Sequence, residues 1–168
     1  MFYHNQTKAE VEDIAAAKPV VRTFYDHSQP INEIDFHPML PIMASCARDN
    51  TIKFFDYTKP SQKRAIRQIT ETNNVRTIHY HPSGAYLLVG TDHNVLRLYD
   101  TNSFSCYTSS NPQDHHFGPI NQARFSGDGK LFVSGGKDGA IKLWDGVTGR
   151  CINTIPNAHA GGQVYSVN

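Results

Sequence analysis

The residue types of a nucleophilic catalytic triad occur twice in this sequence, at the same offsets. In a serine hydrolase the serine attacks, a histidine takes its proton and an aspartate orients the histidine. One set is His116, Ser134 and Asp138, and the other is His27, Ser45 and Asp49. A catalytic triad occurs once in a chain and needs an oxyanion hole, whereas this set recurs in register with a repeat. We therefore interpret both sets as structural and predict that the protein is not an enzyme.

Metal and phosphate chemistry receive little support from the sequence. There are nine histidines, but the adjacent pair His115-His116 lacks the acidic partner that the HExxH zinc motif supplies. The three cysteines are widely spaced and form no CxxC pair, which argues against both a zinc site and a disulfide framework. The GGKDG segment at 135–139 lacks the residue order of a phosphate-binding loop. We predict no metal and no cofactor.

The composition narrows the choice of partners and compartments. The 168 residues include 16 Lys and Arg against 15 Asp and Glu. Binding to nucleic-acid phosphates needs a clustered basic surface, so the balance predicts that any RNA contact is indirect. No run of about 20 apolar residues occurs, and the first residues lack the pattern of a secretory signal. The sequence predicts no membrane contact, and the unpaired cysteines favour the cytosol or nucleus.

The elements that position the two His-Ser-Asp sets come from an internal repeat. Residues 31–56 align without a gap on residues 75–100 and on residues 120–145, and the first and third copies are identical at 8 of 26 positions. Each copy predicts an alternating strand, a turn, a continuously apolar strand, a tight turn and a third strand that ends on an aromatic–Asp pair. A weaker fourth strand follows. Four strands in about 40–45 residues are typical of a WD40 blade, so we predict an all-β WD40-type β-propeller.

The blade pattern gives the two sets a structural explanation. In WD40 blades a His, a Ser or Thr, an Asp and a Trp form one chain of hydrogen bonds. Trp144 completes this chain in the third copy, whereas Phe55 in the first copy has no N–H to donate. The middle copy differs at all four positions, and we expect its chain to be absent or rebuilt. Its residues are Glu71, Val89, His93 and Tyr99.

The repeat also predicts how the chain is divided. Its three copies cannot close a ring, which takes roughly 4–8 blades. We therefore expect a piece of a larger, seven-bladed ring or a truncated product, the alternative being a unit that pairs with copies or a partner. The segments are 1–18 as a linker or short helix, 19–26 as the outer strand of a preceding blade, 27–70, 71–115 and 116–156 as three repeats, and 157–168 as the start of a fourth.

The segments that join the copies are more specific than the blades. FDYTKPSQKRA and RLYDTNSFSCYTSSNPQDHH resemble the WD-repeat subunit of the cleavage stimulation factor, which acts in pre-mRNA 3′-end cleavage and polyadenylation. This resemblance spans about Pro19 to Asn168. It implies a nuclear, non-enzymatic scaffold that binds the other subunits of that complex and the C-terminal domain of RNA polymerase II. The dimerisation domain, first blade and last blades of that family find no counterpart in the sequence.

Candidate contacts with partners follow from the register of the repeat. Propellers commonly bind partners on the rim formed by the turns between second and third strands and the connections between blades. Two sets of equivalent residues fall there, namely Arg48, Asp92 and Lys137 in the turns and Asn32, Arg76 and Asn121 at the second position of the first strand. A generic WD40 adaptor in a ubiquitin ligase or a signalling complex remains the alternative.

Overall fold

The computed structural model describes residues 22–167. The predicted helix or linker at 1–18 lies outside these residues. Of the predicted outer strand at 19–26, residues 22–26 are described and form no strand. They join none of the three sheets of the described range. Instead the Phe24 ring packs on Phe55 at 4.9 Å between centroids, and one backbone N–H, that of Tyr25, donates to the carbonyl of Lys63 at 3.3 Å.

The described residues form three four-stranded antiparallel sheets, and in each the strands lie in chain order. We call them blade 1, blade 2 and blade 3. Blade 1 contains β1 (Ile31–Phe36), β2 (Ile42–Ala47), β3 (Thr51–Asp56) and β4 (Arg67–Thr70). Blade 2 contains β5 (Val75–Tyr80), β6 (Tyr86–Thr91), β7 (Arg97–Asp100) and β8 (Cys106–Tyr107). Blade 3 contains β9 (Ile120–Phe125), β10 (Leu131–Gly136), β11 (Ile141–Asp145) and β12 (Cys151–Ile155). The prediction of an all-β fold with four strands in each repeat is confirmed.

The turns between first and second strands are shaped by glycine. Gly84 and Gly129 have φ of +76° and +71°, a backbone region that glycine enters without the strain a side chain would bring. Each also lies against the preceding blade, where an added Cβ would collide with the imidazole of His37 or His81. These two histidines therefore serve as packing surfaces between blades.

The apolar core lies between the blades rather than within one sheet. One cluster joins blades 1 and 2 and another joins blades 2 and 3. Because the inner strands are covered on both faces, the second strand of each repeat is almost continuously apolar. Ile78 and Ile120 on the first strands of blades 2 and 3 are fully buried, whereas Ile34 and Phe36 on the first strand of blade 1 are 49% and 59% exposed. Blade 1 thus presents an open apolar face within the described structure.

The residues after β12 cover the other end of the row of blades. Residues 162–167 form no strand, but Val164 is 1% exposed and its N–H donates to the carbonyl of Gly136 at 3.1 Å. This segment lies against blade 3 much as the first strand of blade 3 lies against blade 2. That residues 157–168 begin a further repeat stays a prediction. No helix within residues 22–167 has the length and apolar character to span a membrane.

Candidate partner-binding face

Blade 3 brings its four predicted residues into one chain of hydrogen bonds. His116 Nδ1 lies 3.0 Å from Asp138 Oδ2, and His116 Nε2 lies 2.7 Å from Ser134 Oγ. Trp144 Nε1 donates to the same Ser134 Oγ at 2.8 Å. Since Asp138 accepts from Nδ1–H, the Ser134 hydroxyl donates to Nε2, which is the proton arrangement of a triad. However, Ser134 is 0% exposed, and the Trp144 indole N–H occupies its oxygen from the other side.

Blade 1 repeats this chain without its last member. His27 Nδ1 lies 2.9 Å from Asp49 Oδ2, and His27 Nε2 lies 2.7 Å from Ser45 Oγ. Phe55 is buried at the Trp position and offers no donor. Burial by itself would raise the pKa of Asp49, but hydrogen bonds, first from Thr51 and then from His27, lower that pKa to about 2. The carboxylate is therefore held ionised.

Blade 2 rebuilds the chain from different residues. The hydroxyl of Tyr99 donates to Glu71 Oε1 at 2.6 Å, and Arg97 Nε lies 3.4 Å from Glu71 Oε2. Burial and the neighbouring Glu71 carboxylate both raise the pKa of Tyr99 above its usual range. Val89 is buried, whereas His93 lies exposed in the turn. In blade 2, Glu71 takes the His position and Tyr99 takes the Trp position, and one hydrogen bond joins them directly.

Acidification is expected to destabilise the protein in two stages. Burial holds the pKa of His116 below its usual 6.5 against the opposing effect of Asp138, so the unfolded chain takes up this proton first and stability falls as the pH drops from 6.5. Burial alone would raise the pKa of Asp138, but backbone N–H groups and His116 lower this pKa below 3.8. The ionised Asp138 carboxylate therefore contributes fully to the free energy of unfolding above pH 3.8. That contribution is lost as the pH falls through the pKa that Asp138 has in the folded protein.

The urea midpoint measured across this pH range checks the expectation. His116→Gln removes one titrating imidazole, so its midpoint should change less than that of the wild type in the first stage. The remaining change comes from His37 and His79, whose pKa values burial also lowers. A wild-type midpoint that stays flat as the pH falls below 6.5 would contradict the first stage.

The candidate residues on the first strands occupy a β-bulge in each blade. A bulge redirects a side chain away from the regular pleat. Asn32 Nδ2 donates to the carbonyl of Val75 at 2.6 Å, and Asn121 Nδ2 donates to that of Val164 at 2.8 Å. Arg76 Nη1 donates to Asn121 Oδ1 at 3.2 Å. Asn32 and Arg76 connect one blade to the next, and Asn121 connects blade 3 to the segment after β12, so the polar groups of all three side chains are already engaged within the chain.

The candidate residues in the turns lie on the same rim. The N–H groups of Arg48, Asp92 and Lys137 donate at 2.8–3.0 Å to carbonyls just ahead of the first strand of their own blades. Asp92 forms an ion pair with Arg76. The Arg48 and Lys137 side chains are exposed. This rim, which we call the upper rim, therefore presents two cationic side chains on either side of a neutralised pair.

A polar ladder between the blades was not predicted from the sequence. Glu33 Oε2 accepts from Thr77 Oγ1 at 2.7 Å and from the N–H of Ile78 at 2.9 Å, and Thr77 Oγ1 accepts from the N–H of Ala123 at 3.3 Å. Arg124 of blade 3 reaches back to form an ion pair with Glu33 of blade 1. The available signal was a polar residue at the same register of every first strand, namely Glu33, Thr77 and Gln122.

Residues 18–56, 64–100 and 106–145 match the family model described as WD domain, G-beta repeat. The chain belongs to the WD40 repeat family. Over 167 residues it is 46% identical to cleavage stimulation factor subunit 50 of Arabidopsis thaliana, which covers 99% of this chain and 39% of that protein. It is also 28% identical over 145 residues to nuclear distribution protein PAC1 of Arthroderma benhamiae, which covers 82% of this chain and 31% of that protein. The chain thus spans about two fifths of the first relative and less than a third of the second.

Solved structures agree with this assignment at the level of the fold. A structure described as that of U3-55K superimposes with a TM-score of 0.70 at 18% identity, covering 80% of this chain and 41% of that one. Crystallised RRP9 WD40 repeats superimpose equally well. Within residues 22–167 no cluster of three or more His, Cys, Asp or Glu side chains is placed to hold a metal ion.

Proposed function

We propose that this chain is part of a nuclear protein-interaction scaffold of the cleavage stimulation factor, which acts in mRNA 3′-end cleavage and polyadenylation. The observation that carries the proposal is the 46% identity to the Arabidopsis subunit over 99% of this chain. That match extends through the connections between repeats, which the general blade pattern does not constrain. The proposed partners are the other subunits of that complex and, more specifically, the C-terminal domain of RNA polymerase II, with RNA contacted through the complex.

The site geometry supports a scaffold without catalysis. The Ser134 hydroxyl is buried and bonded on both sides, so a substrate carbonyl has no path to it. The upper rim instead offers exposed cationic side chains fixed on short turns, which is suited to protein binding. A WD40 adaptor in another complex, such as a ubiquitin ligase or a signalling assembly, is the alternative, because relatives outside polyadenylation match the blades at 28% identity.

Charge reversal on the upper rim is expected to weaken partner capture. The variant Arg48→Glu/Lys137→Glu replaces the two exposed cations with anions and leaves the hydrogen bonds within the blades in place. Capture of cleavage stimulation factor subunits from nuclear extract should fall by about tenfold, corresponding to about 1.4 kcal/mol, while the thermal transition stays cooperative.

Lys59→Glu/Lys130→Glu is the matched control. It makes the same change in net charge at two exposed lysines outside the upper rim, whose side chains are 62% and 81% exposed. Equal capture by the wild type and the Arg48→Glu/Lys137→Glu variant would contradict the role of the upper rim. Co-purification with a different complex, without polyadenylation subunits, would favour the alternative adaptor function.

A further inference from the structure

Two equivalent grooves open between neighbouring blades, on the side of the sheets opposite the upper rim. Groove A, between blades 1 and 2, has a volume of about 440 Å³ and contains Phe54 and Phe104 in its lining. Groove B, between blades 2 and 3, has a volume of about 560 Å³ and contains Leu98, Trp144 and Gly149 in its lining. The repeat relates the two grooves, since His37 and His81 hold corresponding places in their walls.

Groove A is partly filled by a side chain of the protein itself. Phe104 lies in the turn between the third and fourth strands of blade 2, with φ of +57° and its N–H donated to the carbonyl of Asp100 at 2.9 Å. Its ring reaches across to blade 1 and packs on Phe54 at 5.3 Å between centroids. The guanidinium of Arg67 covers the ring at 5.2 Å, a favourable cation–π distance.

Groove B has the same turn but lacks the ring. Gly149 takes the position of Phe104, with φ of +67° and its N–H donated to the carbonyl of Asp145 at 2.9 Å. A Cβ built on Gly149 would meet no atom of the described structure within 4 Å. Leu98 lines groove B at the position that Phe54 holds in groove A, and their strand partners are Tyr107 and Arg67. Groove B is therefore lined by apolar and aromatic side chains, among them Tyr107 and Trp144, but it has no ring at the place of Phe104.

We propose that groove B binds an aromatic side chain of a partner polypeptide, placed where Phe104 lies in groove A. We infer an aromatic side chain because Phe104 of this chain occupies the corresponding place in groove A. This inference deepens the scaffold function proposed above by naming what one partner segment presents. It involves a different surface from the upper rim.

Trp144 reports directly on groove B because it lines the groove and is the only tryptophan in the sequence. The probe is N-acetyl-L-phenylalaninamide, titrated into the whole chain while the Trp144 emission is followed. A probe of this size should saturate with a Kd of about 1 mM. N-acetyl-L-alaninamide, which carries no ring, should bind at least about tenfold more weakly, since most of the affinity comes from ring burial.

The variant Gly149→Phe is designed to fill groove B from within. Phe104 shows that phenylalanine is accommodated at a positive φ in this turn, so the variant should fold and its emission should no longer respond to the probe. Gly149→Asn is the matched control, because asparagine also tolerates this backbone region but supplies no ring. It should retain the response.

An absent response in the wild type, or an equal response in Gly149→Phe, would overturn the proposal. If Gly149→Phe does not fold, the backbone amide ¹⁵N signal of Gly149, which lines the groove, decides. A shift on adding the probe to the wild type supports the site, and an unmoved signal refutes it. Because the probe is a small molecule, failure here leaves the capture experiment on cleavage stimulation factor subunits unaffected, so the two proposals fail separately.

Discussion

Replacing Trp144 with alanine is expected to lower the free energy of unfolding by about 3–5 kcal/mol. The indole is 2% exposed, stacks on Phe132 at 5.5 Å between ring centroids and packs in the cluster between blades 2 and 3. Truncation would therefore leave a cavity at the interface of two blades. It would also remove the N–H that bonds Ser134. Chemical denaturation followed by circular dichroism measures this loss.

Trp144→Phe separates packing from hydrogen bonding. It keeps a ring in the cluster, as Phe55 does at the same position of blade 1, but removes the donor to Ser134. We expect a loss of about 1 kcal/mol from the hydrogen bond, with a further contribution from the smaller ring. Phe117→Ala, which truncates a ring that is 92% exposed, should change stability by less than about 0.5 kcal/mol. If Trp144→Ala were no more destabilising than Trp144→Phe, packing of the indole would not be the main contribution.

Replacing Glu33 with alanine is expected to lower the free energy of unfolding by about 3 kcal/mol, because it breaks a largely buried ion pair and leaves its partner charge uncompensated. The Glu33 and Arg124 side chains are only 16% and 20% exposed. The same carboxylate accepts hydrogen bonds from Thr77 and from the N–H of Ile78. One substitution on blade 1 thus disturbs contacts with both other blades.

Three comparisons test the Glu33 prediction by urea denaturation. Glu33→Gln retains an oxygen for Thr77 and Ile78 but loses the charge, so its loss should be smaller. Asp128→Ala breaks the exposed pair between Asp128 and Lys130, whose side chains are 57% and 81% exposed, and should change stability by no more than about 1 kcal/mol. The double variant Glu33→Ala/Arg124→Ala should recover part of the loss. Equal losses for Glu33→Ala and Asp128→Ala would contradict a role for burial.

The sequence determined the features that recur within each repeat. Strand order, the alternation of buried and exposed positions, and the column containing His116, Ser134, Asp138 and Trp144 all depend on local spacing and on the period of two along a strand. Equivalent residues in different copies must then occupy equivalent places. Where a copy departs from the pattern, as at Glu71 and Tyr99, the sequence predicted a changed chain but not the direct bond between the acid and the phenol.

Only the tertiary structure decided what happens between the blades. The β-bulges that aim Asn32 at blade 2 and Asn121 at the segment after β12 leave no mark in the residue pattern, because a bulge depends on how two strands pair. The ion pair between Glu33 and Arg124 joins residues two repeats apart. The difference between Phe104 and Gly149 affects a groove only because their turns face a neighbouring blade. Such contacts depend on the distance and angle between sheets. The packing of all their faces together sets that geometry, so no single repeat contains it.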